Sequence, residues 1–482
     1  MSIAPSQVRL FQPVLCVDMD GTLLRTDTLW ESLLSCLRSK PWILLLLPWW
    51  LLRGKAGLKE ALAAHCDIRP EALPINQSVL EFVRRRKEQG AAVWLVTGAN
   101  MKLATSVAGH LRMFDGVIAS DGGRNVVGET KLHAIRQRVG SETFDYIGDS
   151  RHDEAIWREI GSACVVGSAR LIARISRDIC PVVFAAETRG VSLKAIIRLM
   201  RPHQWAKNVL VFAPLLFAHK LLDFHAAYRS AVAMLAFCAV ASSIYIINDL
   251  WDIEADRLHP SKCRRPLASG EVPIPLGMVM SLVLAAVAIA LGLSLGVGAT
   301  GMILAYFAIS VVYTLYLKTK LLMDVIVLAG LYTHRILTGG LASEIPVSPW
   351  LLAFSMFVFF SLASLKRYSE LRRSTEQSLE ESRRGYVLAD TELVRAAGVG
   401  SALMAVMVFA LYVNGEMSRK MYDDQSLLWM ECPLLLYCLL RLWFLGNRGL
   451  IKDDPLVFAL TNRVTVACAG IGVLLMVIAS KV

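Results

Sequence analysis

Asn248-Asp249-Leu250-Trp251-Asp252-Ile253-Glu254-Ala255-Asp256-Arg257-Leu258-His259-Pro260-Ser261-Lys262-Cys263-Arg264-Arg265-Pro266-Leu267-Ala268-Ser269-Gly270 separates two long apolar runs of the chain. Asp249, Asp252 and Asp256 recur at i, i+3 and i+7, a spacing that a helix turns onto one face. Three carboxylates on one face repel one another unless a cation lies among them. Carboxylates set opposite phosphate oxygens are a common magnesium arrangement. Lys262 and Arg265 follow within reach of the same anion, and Asn248 opens the run. Ionisable groups at the end of a membrane helix are functional candidates by default. A solvated acidic loop is the competing reading.

The surroundings of that run are strongly apolar. Of 482 residues, 55% are hydrophobic and only 19% charged, which is too apolar for an ordinary soluble enzyme. The length allows two to four domains, and the composition changes once, giving a mixed pattern over 1–190 and apolar runs over 191–482. The second part predicts nine membrane helices, near 208–221, 228–250, 273–295, 299–317, 322–342, 348–365, 395–414, 428–446 and 455–479. With the N-terminal domain placed inside, sixteen Lys and Arg fall on inner loops and helix ends and five on the outer side, which favours nine crossings with the C-terminus outside. The net charge of +11 is read the same way, as a positive-inside bias rather than a nucleic-acid surface. Met1–Pro13 lacks a signal-peptide core, so the first domain is expected in the cytoplasm. The ten cysteines form no zinc or CxxC pattern and read as packing residues in a reducing compartment.

The first part has its own chemistry. Strand-like Val14-Leu15-Cys16-Val17 runs into Asp18-Met19-Asp20-Gly21-Thr22. Ala92-Val93-Trp94-Leu95-Val96 ends in Thr97-Gly98, and Phe144-Asp145-Tyr146-Ile147 ends in Gly148-Asp149-Ser150, with Asp153 beyond. Carboxylates at the C-terminal ends of strands lie where ligands bind in an α/β sheet. One apolar stretch, Pro41-Trp42-Ile43-Leu44-Leu45-Leu46-Leu47-Pro48-Trp49-Trp50-Leu51-Leu52, is too short to span a bilayer. Its tryptophans beside Arg53 and Lys55 suit an interfacial anchor, and a buried cap core suits them as well.

Residues 10–185 resemble the HAD phosphohydrolases, α/β proteins of Rossmann-like fold. The resemblance implies Asp18 as nucleophile, Asp20 as general acid/base, and Thr97 and Lys131 as holders of the phosphoryl oxygens, with Lys102 as a rival for the lysine role. It implies a magnesium site of Asp18, Asp149 and Asp153, and a cap near 27–80 whose apolar stretch favours a lipid-linked phosphate.

The run from Asn248 closely resembles the first aspartate-rich motif of the UbiA superfamily. An all-helical membrane bundle of nine helices is implied, with magnesium held by Asp249, Asp252 and Asp256. Most members transfer a prenyl group to an aromatic ring and carry a second aspartate-rich pair. Here the second motif is reduced to Asp324, with Lys318 and Arg335 about it. Together with Arg201–Asn208, Leu365–Leu371 and 453–459, this looks like the branch typified by decaprenyl-phosphate phosphoribosyltransferase. The implied donor is phosphoribosyl pyrophosphate (PRPP) and the implied acceptor a polyprenyl phosphate. Lys207, Asn248, Lys262, Arg265, Lys318, Asp324, Arg335 and Lys366 are the expected substrate holders. Each basic residue has a second reading as a positive-inside anchor. The implied setting is the inner membrane of a bacterial-type cell, with both sites facing the cytoplasm and no nucleic-acid partner. Aromatic prenyl transfer, a purely regulatory HAD domain and a transporter are the competing readings.

Overall fold

Val14, Leu15, Cys16 and Val17 are all buried and form strand β1 (Val14–Val17). Such a run suits a strand covered on both faces. In the computed structural model, which describes residues 13–121, 125–140, 143–188, 190–373, 385–451 and 454–480, β1 lies at the centre of a six-stranded parallel sheet. The other strands are β2 (Ala92–Asn100), β3 (Gly116–Ser120), β4 (Asp145–Gly148), β5 (Ala163–Gly167) and β6 (Val182–Glu187), in spatial order β3-β2-β1-β4-β5-β6. Alternation along β1 sends Leu15 and Val17 into one apolar cluster, with Val93 and Leu95 of β2. Val14 and Cys16 enter the opposite cluster, with Tyr146 and Trp157. The strand order reverses direction at β1, so the crevice outside the ends of β1 and β4 is the natural ligand position.

Contacts divide the chain into two compact units, Met1–Leu199 with Ile246–Met280, and Met200–Tyr245 with Ser281–Val482. The first therefore holds the sheet and, from far along the sequence, the aspartate-rich loop. Its cap is helical: α1 (Thr28–Ser39), a 3-10 turn at Pro41–Leu45, α2 (Leu47–Leu52) and α3 (Gly54–His65). Asp27 caps α1 by accepting from the Leu29 amide. The apolar stretch divides between its two expected fates. Ile43 and Trp50 pack with Cys36, Leu62 and Cys66, whereas Trp42, Leu45, Trp49, Leu51 and Leu52 stay exposed.

The second unit is helical. Among the described residues seven helices are long and apolar enough to cross a membrane: Phe224–Trp251, Ile274–Leu295, Val297–Leu315, Met323–Ser343, Pro349–Leu371, Leu388–Asn414 and Gln425–Asn447. The pair Pro455–Thr461 and Arg463–Ala479, bent by 70°, makes an eighth if counted as one span. The ninth expected span, 208–221, differs. It is a 3-10 run, Pro202–Phe212, continued by the five-residue helix Ala213–Phe217. Pro202 and Pro214 each lack an amide donor, which suits short or wound-tight helix rather than a long α-helix. Arg383, Arg384, Lys452, Asp453 and Lys481, used in the charge and motif readings, lie outside the described residues. All ten cysteines are free and seven are buried.

Candidate functional site

Asp18 follows β1 directly, and its amide bonds to the Ile147 carbonyl of β4 at 3.0 Å, which holds the two strand ends together. Lys131 reaches in from helix Glu129–Val139 and donates to Asp18 Oδ1 at 3.0 Å and to the Tyr146 hydroxyl at 2.7 Å. Tyr146 in turn donates to Asp153 Oδ1 at 2.7 Å. The amide and hydroxyl of Ser150 hold the other Asp153 oxygen at 3.1 and 2.9 Å. Lys102, the rival lysine, points elsewhere and donates to the Ala63 carbonyl of the cap. Thr97 is fully buried, and its hydroxyl accepts from the Ala99 amide. Asp20 is held from the cap side, where the Thr28 amide and hydroxyl donate to its two oxygens at 3.0 and 3.1 Å.

Asp18, Asp149 and Asp153 offer oxygens that all lie within 4.8 Å of one another. An all-oxygen set of this kind fits a hard divalent cation. The turn after β1 requires Gly21, with φ +74°, because a Cβ there would meet Asp149 Oδ2 at 2.1 Å. Burial pushes the Asp149 carboxyl up to about 8, with Asp18 and Asp153 adding repulsion. Burial also raises Asp18 and Asp20 above the ordinary carboxylate range. For Lys131 burial works against the charge, but Asp18 and Asp153 more than offset it and its pKa rises.

The aspartate-rich loop belongs to the same unit. Helical hydrogen bonds run through the break at Asp252, whose amide bonds to the Asn248 carbonyl, and Asp256 bonds likewise to Asp252. Arg265 Nη1 bridges Asp249 at 3.1 Å and Asp256 at 2.5 Å, offsetting the repulsion between two buried carboxylates. Asp252 is half-buried and lies outside that bridge, and Lys262 is exposed. Among the described residues the three do not draw together as closely as Asp18, Asp149 and Asp153 do. Their carboxylate donors suit the same class of cation. Next to Asp256, Arg257 makes a bidentate pair with Glu31 of α1, at 2.7 and 3.1 Å, with side chains 6% and 3% exposed. Thr26 donates to the same Glu31.

In the helical unit the expected residues fall into two buried clusters. Lys207 and Lys366 both donate to Asp454 Oδ2, at 2.6 and 3.3 Å, and Tyr332 donates to the same carboxylate. Beside them Arg335 donates to Asn208 at 2.9 Å and to the Tyr306 hydroxyl at 2.6 Å. Asp324 is paired instead with Arg367 at 2.6 Å and accepts from Tyr386 at 2.6 Å. Lys318 lies half-buried in the 3-10 turn Leu317–Thr319. An apolar cavity of about 270 Å³ is lined by Leu210, Ile336, Phe354, Leu439 and Leu456 among others. Its walls continue directly from the polar clusters along the chain at Asn208, Arg335 and Asp454. Sequence reasoning missed Tyr146, which bonds to Lys131 and Asp153, and it missed Glu31, Arg257, Arg367 and the role of Asp454, which act through partners distant in sequence. The one available signal was Asp454 beside Pro455 at a helix start.

The fold and these clusters define a membrane-spanning helical protein that carries an α/β domain of hydrolase type. The chain belongs to the UbiA prenyltransferase family, whose profile matches residues 211–445, and that of the haloacid dehalogenase-like hydrolases matches 15–156. The Sinorhizobium fredii protein y4nM is 34% identical over 94% of this chain and 88% of its own length. Nodulation protein NoeC of Azorhizobium caulinodans is 35% identical over 56% of this chain and 87% of its own. Decaprenyl-phosphate phosphoribosyltransferase of Mycobacterium tuberculosis is 31% identical over 56% of this chain and 88% of its own.

Proposed function

We propose that the UbiA-like part of the chain, its aspartate-rich loop included, transfers 5-phosphoribose from PRPP to a polyprenyl phosphate, and that the α/β domain then removes the 5-phosphate. The relative named decaprenyl-phosphate phosphoribosyltransferase supports the first step. The observation that carries the combined reading is the buried Arg257–Glu31 pair, which ties the aspartate-rich loop to the cap helix that holds Asp20. The apolar cavity suits an isoprenoid tail. Lys207, Lys366 and Arg335 supply cations for the phosphates, with Lys262, Arg265 and Lys318 at the loops. Asp324 is proposed to orient the ribose through its pairing with Arg367.

For dephosphorylation, the Asp18 carboxylate attacks phosphorus while Asp20 protonates the departing ribose 5-oxygen, and Lys131 holds a phosphoryl oxygen. Asp20, now unprotonated, accepts a proton from the water that frees phosphate and restores Asp18. Magnesium is the proposed metal at both carboxylate groups, where it would offset anionic charge on the phosphates.

Both sites are proposed to face the cytoplasm. Phe224–Trp251 is about 42 Å long, and Glu254, just past its end, bonds to Arg38 of the cap at 2.7 Å. The start of that helix therefore belongs at the opposite membrane face, so Pro202–Phe217, about 30 Å long as mixed 3-10 and α-helix, must cross. That supports nine crossings and an outer C-terminus, in line with the Lys/Arg bias.

The test is to incubate purified protein with magnesium, PRPP and a polyprenyl phosphate, and to weigh the lipid by mass spectrometry. Ribosyl lipid from wild type and phosphoribosyl lipid from Asp18→Asn are expected, with no adduct from Asp249→Ala. If no adduct forms, the phosphoribosyl reading falls and aromatic prenyl transfer takes its place. If the adduct keeps its phosphate in wild type, the coupling alone falls.

A further inference from the structure

The cap carries an apolar face that neither chemical site uses. In the 3-10 turn Pro41–Leu45 residues three apart eclipse, so Trp42 and Leu45 share an edge. In α2, Trp49 and Leu52 are i, i+3 neighbours. Ile43 and Trp50 turn inward to the cap core. The outward set is open among the described residues, with Trp49 62% and Leu45 and Leu52 each 82% exposed. A contiguous apolar surface of this kind on a soluble domain marks an interaction site.

Three observations identify what covers it. Lys40 and Arg53, both exposed, bracket the stretch, and no acidic residue stands between them. Tryptophan and flanking cations are the composition of a membrane–water interface, where indole rings lie at headgroup depth and cations meet anionic lipid. The patch is also anchored at the right depth. Arg38, three residues before Pro41, donates to Glu254, which stands three residues beyond Trp251 at the end of the spanning helix Phe224–Trp251.

We propose that Trp42, Leu45, Trp49, Leu51 and Leu52 insert into the lipid interface on the side of the aspartate-rich loop, with Lys40 and Arg53 on anionic headgroups. Asp20 would then stand over the membrane surface through α1, so a phosphate on a lipid carrier reaches the carboxylates without leaving the bilayer. Insertion rests on the chain spanning the membrane and not on the identity of either substrate.

The full chain in nanodiscs of phosphatidylcholine and phosphatidylglycerol provides the test, against discs whose lipids are brominated high on the acyl chain. The fluorescence of Trp42 and Trp49 is isolated by subtracting a Trp42→Tyr, Trp49→Tyr variant, which preserves an aromatic ring at each position. Most of that difference signal should be lost in brominated discs. An unquenched signal at the wavelength of water-exposed tryptophan would overturn the proposal. An unquenched, blue-shifted signal would also overturn it and assign the face to a second copy of the chain. Quenching in a protein that hydrolyses no lipid phosphate would leave insertion standing and remove the dephosphorylation reading alone.

Discussion

Asp18 is the carboxylate that directly follows β1 and is held by Lys131, which also bonds to Tyr146, while Tyr146 bonds to Asp153. Asp18→Asn should lower phosphate release on the order of 10³-fold or more, as loss of a nucleophile does elsewhere, while lipid adduct formation continues. Single-turnover assays with a soluble phosphomonoester check the first part. The burial of Asp149 predicts a pH dependence. Its folded pKa of about 8 lies above the ordinary value of 3.8, so the fold binds a proton that the unfolded chain releases between those values. That contribution to stability is present at low pH and is lost as pH rises through about 8. Metal binding needs the deprotonated carboxylate, so magnesium should raise the melting temperature more at pH 8.5 than at pH 6. Asp149→Asn should flatten the difference, read by thermal melts with and without the ion. At this scale the carboxylates were legible because the chemistry requires them at fixed short spacings after strands. Lys131 was not separable from Lys102 in sequence, because only the packing of helix Glu129–Val139 against the sheet decides which ammonium meets Asp18.

The connecting elements are α1 and the loop that follows Phe224–Trp251. Removing one partner of a buried ion pair costs about 3–5 kcal/mol, because the other charge is left without compensation. Arg257→Ala should therefore destabilise the full chain by roughly that amount. It should also lower turnover on a soluble phosphomonoester more than it changes KM, since Glu31 and Thr26 brace the segment from which Thr28 holds Asp20. Arg257→Lys, which keeps the charge and loses the second hydrogen bond, should recover part of both. The pair was illegible in sequence, its members being 226 positions apart. The same limit hid the Asp324–Arg367 and Lys207–Asp454 pairs. The apolar cap stretch was visible, but a continuous run of Trp, Leu and Ile has no periodicity from which to tell its inner edge from its outer one. The two prolines at 202 and 214 were visible too, and they account for the 3-10 winding that replaced an expected α-helical span.

On the scale of the whole chain, the proposed nine crossings make a prediction that charge counting alone does not secure. A reporter fused after the last residue should be reachable from outside intact cells, and one placed in the 374–384 segment only after the cells are opened. Reversed accessibility of either would remove the cytoplasmic assignment. The two-part composition was plain from the sequence, because apolar content changes once near residue 190. The compact units follow another line, since 246–280 groups with the sheet and not with the helices on either side of it. The turn at Gly270 shows how closely that loop is fitted: a Cβ there would meet the Arg25 carbonyl oxygen at 2.7 Å. It follows that the protein cannot be cut in two without leaving a wound on both pieces. A fragment of 1–190 would show an unpaired Glu31, and a fragment of 191–482 an unpaired Arg257. Expressed together in one cell, the two fragments should therefore find each other and purify as a non-covalent pair, held by the surface that joins them in the intact chain.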